Sequence, residues 1–309
     1  MLYVFRPEKH DLEPTNALPS SGWVHVVDPS PEEAARVHRE LGVPKELIGH
    51  ALDLDEVARV DRDNGTSLIM LRVPWGRGSG HELPYRAAPL GVVLMESRLL
   101  VTISPIETEV IGDLLALRAL DPSRHHRFLF QLILCMAERF LKALREIDLE
   151  VGRLEDELQA SLRNQEVLEL LKYQKSLVHF TAALTSNRIM LERLQRDPRF
   201  HISPEDHDIL EDALVEIHQV IEMASISENV LSEMMDAFAS IISNNLNVVM
   251  KVMTALAMIL VFPTMVASFY GMNVRLPLQE HPLAFTFAIL ISIVMSTTVT
   301  VIFLRKRWL

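Results

Sequence analysis

Between Lys251 and Arg275 the chain has no charged residue, and between Glu280 and Arg305 it has none again. Each stretch matches the roughly 20 apolar residues that a helix needs to cross a hydrocarbon core of about 30 Å. Two such runs in succession could be buried inside a soluble protein only by a very large core. The expected arrangement is therefore two membrane spans near the C-terminus, over about 252–272 and 283–304, with a short loop at 274–282.

The rest of the chain is of a different kind. Of the 41 acidic residues only Glu280 follows Lys251, and of the 30 basic residues only Arg275, Arg305, Lys306 and Arg307 do. The segment through Lys251 thus carries −14 and the tail +3. So acidic a domain disfavours nucleic acid as a partner and favours cations. Cys135 is the single cysteine, which excludes a disulfide framework and suits a reducing compartment. Arg6, Glu8, Lys9 and Asp11 interrupt any apolar run at the N-terminus, so no signal peptide is expected. Arg305-Lys306-Arg307-Trp308-Leu309 follows the second span; basic residues favour the cytoplasmic side and Trp the interface. Both termini are expected in the cytoplasm, the loop outside, and the chain in the inner or plasma membrane among lipid.

The first part reads as a small α/β domain over 1–106. Strands are predicted at Leu2–Phe5, Trp23–Val27, Val57–Asp61, Ser67–Val73, Leu90–Glu96 and Leu99–Ile103. Turns are predicted at Asp63-Asn64-Gly65 and Glu96-Ser97-Arg98, and a loop at Gly76–Gly80. Ser30-Pro31-Glu32-Glu33 supplies a capping hydroxyl, an N-terminal proline and carboxylates for a helix to Leu41, stopped by Gly42 and Pro44. A short helix should cover Lys45–Leu52. From about Glu107 the pattern turns helical, giving a stalk region over 107–250 before the membrane domain at 251–309. Phe128, Leu132, Met136 and their successors to Leu154 mark one long helix. A second should span Gln165–Gln195. A third should start at Ser203-Pro204-Glu205 and meet no proline until Pro263. From Glu205 to Phe269 that helix would be roughly 100 Å long. Helices of this length need packed neighbours to be stable. The expected class is an α+β membrane protein: cytoplasmic α/β domain, helical stalk, two spans.

Two helices cannot enclose an aqueous path, so a conducting protein of this build must oligomerise. A pore face should carry small or polar residues. Ser243, Asn247, Met250, Thr254, Ala257, Val261, Thr264 and Ser268 share one broad face of the first span. Small and hydroxyl residues also permit close helix packing, which is the competing explanation. Met250 and Val261 would form apolar rings able to block ions by dewetting.

The first span ends Tyr270-Gly271-Met272-Asn273. This triplet after Tyr, at the outer end of the first of two C-terminal spans, resembles the CorA family of magnesium and cobalt transporters. So do the run Ser243-Asn244-Asn245-Leu246-Asn247-Val248-Val249-Met250-Lys251-Val252-Met253-Thr254 leading into that span and the basic-Trp-Leu ending. More loosely, Ala51-Leu52-Asp53-Leu54-Asp55-Glu56 with Arg59-Val60-Asp61 looks like the family's N-terminal domain. The resemblance implies a funnel-shaped homopentamer whose first spans line a divalent-cation pore, with Gly271, Met272 and Asn273 as filter. Mg²⁺ holds its water tightly and prefers octahedral oxygen ligands. A ring of neutral Asn273 amides would hydrogen-bond the hydrated ion without stripping it. Gly271 would supply a permissive backbone at the helix end.

Mg²⁺ is thus expected as cargo, and as a regulatory ligand through Asp212 and Asp236 of the stalk; no cofactor is expected. The family's acids ahead of the Asp/Glu block are replaced here by Gly49-His50, and the outer loop holds one acid, Glu280. His125, His126, His201, His207 and His218 read as scattered surface histidines, although His207 and Glu211 have i, i+4 spacing. Asp53 and Asp55 read as a solvated face. No phosphate loop and no hydrolytic triad stands out, so no enzyme is expected. Two alternatives are a zinc, nickel or cobalt transporter on the same scaffold and a non-conducting membrane-anchored coiled-coil scaffold.

Overall fold

The computed structural model describes residues 1–6, 9–14, 22–63, 65–77, 83–95, 99–117, 120–161, 164–197, 200, 202–273 and 282–306. By internal packing the chain divides inside its longest helix into two compact units, Met1–Glu233 and Met234–Leu309.

The first unit is built on a seven-stranded sheet. Its strands are β1 (Leu2–Arg6), β2 (Lys9–Pro14), β3 (Gly22–Val27), β4 (Arg59–Asp63), β5 (Thr66–Gly76), β6 (Tyr85–Leu94) and β7 (Leu99–Ser104), in spatial order β2-β1-β3-β7-β6-β5-β4. Only β3 and β7 pair in parallel, and the crossover between them contains the helices α1 (Pro31–Leu41) and α2 (Lys45–Leu52). Because side chains alternate across a strand, one face presents Val24, Val26, Leu68, Met70, Val101 and Ile103 to α1 and α2. Both faces are covered, so the central strands are continuously apolar rather than alternating. The other face carries Trp23, which is fully buried, stacks on Phe5 at 4.0 Å and meets the edge of Phe128 at 4.9 Å. Gly91 of β6 lies where α2 approaches most closely. A Cβ there would come 2.8 Å from that of Ala51.

The sequence signals at α1 act as expected. Ser30 accepts from the Glu33 amide at 3.2 Å, Glu33 returns a bond to the Ser30 amide at 2.9 Å, and Gly42 ends the helix at φ 75°. The β4–β5 hairpin closes on Asp63↔Thr66 with Gly65 at φ 80°. Other expectations need correction. The polar segment Lys9–Pro14 forms edge strand β2. An edge strand needs no apolar face, so periodicity does not mark it. β4 begins at Arg59 rather than Val57; the Ala58 amide is taken by the Ser186 hydroxyl at 3.0 Å instead of a strand partner. β6 begins at Tyr85 rather than Leu90, its first turn of sequence masked by Ala87, Ala88 and Pro89. β5 runs through Pro74 to Gly76, so Gly76 is strand rather than loop, and residues 78–80 of the expected loop lie outside the described residues. The Glu96-Ser97-Arg98 turn lies outside the described residues.

Helices α3 (Glu109–Leu115), α4 (His125–Ser161), α5 (Asn164–Arg196) and α6 (Pro204–Tyr270) follow, then α7 (Ala284–Arg305). α4 and α5 pack on the sheet face opposite α2. Within the first unit, Leu210, Ala213, Ile217, Val220 and Ala224 of α6 are buried at spacings of three and four. Arg124 pairs with Glu205 at 3.0 Å and Ser227 donates to Asp148 at 3.0 Å, so this part of α6 runs beside α4 in the same direction.

His25 gives this unit a pH dependence. It is 3 % exposed, and its Nδ1 lies 2.8 Å from the Thr102 hydroxyl, which also accepts from Trp23 Nε1 at 2.9 Å. Desolvation, opposed by a hydrogen bond with Thr102, pushes the imidazole down from 6.5 to about 4. The unfolded chain takes the proton first, so the stability linked to neutral His25 is full above about pH 6.5 and falls as pH drops toward 4. At pH 5 about 2 kcal/mol should be gone. Unfolding midpoints at pH 7.5 and 5 should therefore fall further for the wild type than for His25→Gln. Equal slopes would contradict this.

Candidate functional site

The second unit contains the two apolar segments. α6 and α7 are the two described helices long and apolar enough to cross a membrane. α7 has no buried residue, and on α6 large apolar side chains such as Leu246, Met253 and Leu260 are exposed. Such surface cannot face water on this scale and needs lipid or other protein over it.

The two spans meet along one side of α6. Ala255 and Val266 are buried, and Ser296 of α7 donates to the Ile259 carbonyl at 3.1 Å. Phe262 faces Val299, Ile302 and Phe303, with Met258 and Val261 at the shoulder of this groove. At about 100° per residue the expected pore stripe is centred roughly 140° from that contact face. Asn247, Met250, Thr254, Ala257, Val261, Thr264 and Ser268 are all exposed. The outer part of the stripe lines an open groove of about 440 Å³ with Leu260, Met265 and Met272. Thr264 donates its hydroxyl to the Leu260 carbonyl at 2.9 Å, leaving oxygen lone pairs as its free valence.

The helix ends at Tyr270. The Gly271 amide still reaches the Ala267 carbonyl at 2.9 Å and the Met272 amide reaches Phe269 at 3.2 Å. Gly271 does not take the left-handed conformation expected of a helix terminator. A Cβ there would lie 3.2 Å from the Ala267 carbonyl oxygen and 3.6 Å from that of Ser268, a tight contact. Met272 and Asn273 are exposed beyond it. The loop at 274–281 and the Arg307-Trp308-Leu309 ending lie outside the described residues.

The acidic candidates both lie on α6. Asp212 and Asp236 are both exposed, on stretches of α6 that belong to different units. Among the described residues no three His, Cys, Asp or Glu side chains come together in a way that could hold a metal ion. The Asp53–Glu56 block is tied to arginines instead. Asp55 pairs with Arg86 at 3.2 Å, Glu56 with Arg59, and His50 lies 3.3 Å from Glu56. His126 is not a free surface histidine, since its ring lies 4.1 Å from that of Phe200. His201 is outside the described residues.

Fold and apolar segments together define the class: a two-span membrane protein with a large N-terminal unit of sheet and long helices. Residues 20–306 match the family model of the CorA-like Mg2+ transporter protein, and the chain belongs to that family. The cobalt/magnesium transport protein CorA of Methanocaldococcus jannaschii is 27% identical over 294 residues, spanning 93% of this chain and 91% of that protein. The complete structure of the CorA magnesium transporter from the same organism superposes with a TM-score of 0.81 at 24% identity, covering 97% of this chain and 95% of that one. The full-length CmaX protein has the same fold at 18% identity, with a TM-score of 0.69 over 99% of this chain and 97% of its own.

Proposed function

We propose that this chain is one subunit of a homo-oligomeric channel, a pentamer, that admits Mg²⁺, and Co²⁺ with it, down the membrane potential into the cytoplasm. Family membership supports divalent-cation transport. The observation that carries the pore reading is the exposed stripe on α6, turned largely away from α7, which it meets only at Val261, and made of small, hydroxyl and amide side chains with only Met250 and Val261 bulky and apolar. In a ring of subunits with α7 outside, that face turns to the axis. Met250 and Val261 then form the dewetting constrictions, Thr254, Thr264 and Ser268 offer oxygens to a hydrated cation, and the Gly271-Met272-Asn273 end forms the outer mouth. With both termini cytoplasmic, an inside-negative potential supplies about 2.3 kcal/mol per charge per 100 mV, and so roughly twice that for a divalent ion. No nucleotide is needed.

The test is uptake by liposomes bearing the purified protein. Mg²⁺ should enter without ATP, and faster when a potassium diffusion potential makes the lumen negative. The native mass in mild detergent should be that of five chains. A monomer or dimer would sink the pentamer. An absence of uptake at the pentameric mass would favour a non-conducting scaffold, and flux of Zn²⁺ or Ni²⁺ without Mg²⁺ would move the assignment to those metals.

A further inference from the structure

Pro263 lies within α6, eight residues before Gly271. A proline in a helix has no N–H, so the carbonyl four residues earlier loses its partner, and the ring pushes that carbonyl aside. Here the carbonyl is that of Ile259. In a hydrocarbon medium an unpaired carbonyl costs several kcal/mol unless a neighbour supplies a donor. Ser296 of α7 supplies one. Its hydroxyl donates to the Ile259 oxygen at 3.1 Å. Three other hydroxyls of α7 behave differently: Ser292, Thr298 and Thr300 each donate to a carbonyl four residues back in their own helix, at 2.8, 2.7 and 2.8 Å. Ser296 leaves its own helix for the one carbonyl that Pro263 frees.

We propose that Ser296 is a positioning residue for permeation. Its hydroxyl closes the gap that Pro263 opens in the α6 hydrogen-bond ladder, and so fixes the segment from Thr264 to Asn273 relative to the segment below. Without it the Ile259 carbonyl is left unpaired, the ladder beside Pro263 loosens although bonds such as that of the Thr264 hydroxyl to Leu260 remain, and the residues proposed for the outer mouth lose their alignment. α7, which contributes nothing to the exposed stripe, thereby sets the geometry of that stripe's outer end. The flux part of this inference rests on the transport reading above; the hydrogen-bond part does not.

The experiment compares Ser296→Ala in two backgrounds. In the wild-type background it removes the hydroxyl that donates to the Ile259 carbonyl. In Pro263→Ala the residue-263 amide is restored, α6 satisfies Ile259 itself, and Ser296 becomes dispensable. Two readouts are taken on the full chain: hydrogen exchange of the 255–270 segment and Mg²⁺ uptake in liposomes. Ser296→Ala alone should speed both exchange of that segment and loss of uptake by about 3-fold, and by up to about 20-fold at the strong end of interhelical hydrogen bonds in lipid. Ser296→Thr, which keeps the hydroxyl, should retain near wild-type behaviour. Adding Ser296→Ala to Pro263→Ala should change neither readout. Equal effects of Ser296→Ala in both backgrounds would overturn the proposal, since they would show a packing role independent of Pro263. So would unchanged exchange in the wild-type background. If the wild type itself carries no cation, the transport reading fails, while the exchange comparison still decides the hydrogen bond.

Discussion

Asn273→Ala should reduce Mg²⁺ uptake at least about tenfold while leaving native mass and thermal midpoint unchanged. The side chain is exposed and makes no hydrogen bond to any described residue, so its removal costs the fold no more than about 0.5 kcal/mol. In a ring of subunits the same substitution removes several amides at one point on the axis. Each hydrogen bond to a hydrated cation contributes about 1 kcal/mol, so losing the ring exceeds the 1.4 kcal/mol that corresponds to a factor of ten. Gly271→Ala should impair uptake by a different route, because its Cβ would press on the Ala267 carbonyl oxygen at 3.2 Å and displace the backbone that presents Asn273. The measurement is initial uptake rate at matched pentamer content. Wild-type rates from Asn273→Ala would remove Asn273 from the pore mouth.

The second large effect lies far from the membrane. Asn187 of α5 is completely buried. Its Nδ2 donates to the Arg72 carbonyl at 2.7 Å, and its Oδ1 accepts the Arg72 amide at 2.9 Å. The reason is visible in the register. β4 pairs with β5 from Asp63↔Thr66 only as far as Arg59↔Met70, so the next edge position of β5, Arg72, has lost its strand partner. The Asn187 amide replaces the missing peptide group. Asn187→Ala would leave a buried N–H and a buried C=O unpaired, at a cost of about 3 kcal/mol. In a unit of this size that should lower the thermal midpoint by about 6–12 °C. Ser186→Ala, which removes a half-buried hydroxyl bonded to the Ala58 amide at 3.0 Å, should cost less. A shift of a degree or two for Asn187→Ala would show that water reaches Arg72 and the pairing is not needed.

Both cases bear on what is legible in a sequence of this kind. The two charge-free runs were legible because membrane solvation acts on length and composition alone, whereas the filter candidate Asn273 was named through the resemblance of Tyr270-Gly271-Met272-Asn273 to the CorA family. The helix α1 was likewise legible, since Ser30, Pro31, Glu33 and Gly42 act on backbone groups within four residues of themselves. Asn187 could not be singled out. An asparagine in a long amphipathic helix gives no sign that 115 residues away a strand will end one pair too early. The same holds for Ser296, one hydroxyl among several in α7, whose role exists only because the Ile259 carbonyl of the neighbouring helix lies within reach.

The sequence by itself determined the two apolar segments, the acidic character of everything before them, the capped short helices and the three long helical stretches. Each of these follows from solvation or from hydrogen bonds closed within a few residues. The tertiary structure decided the order of the sheet, the polar edge strand β2, the true starts of β4 and β6, and the partners of Asn187, Arg72 and Ser296. It also decided that the Gly271 amide continues the hydrogen bonding of α6 onto Ala267 rather than taking a left-handed turn. Those outcomes depend on which unpaired backbone group meets which side chain from a distant element, and that is fixed only when the elements are packed.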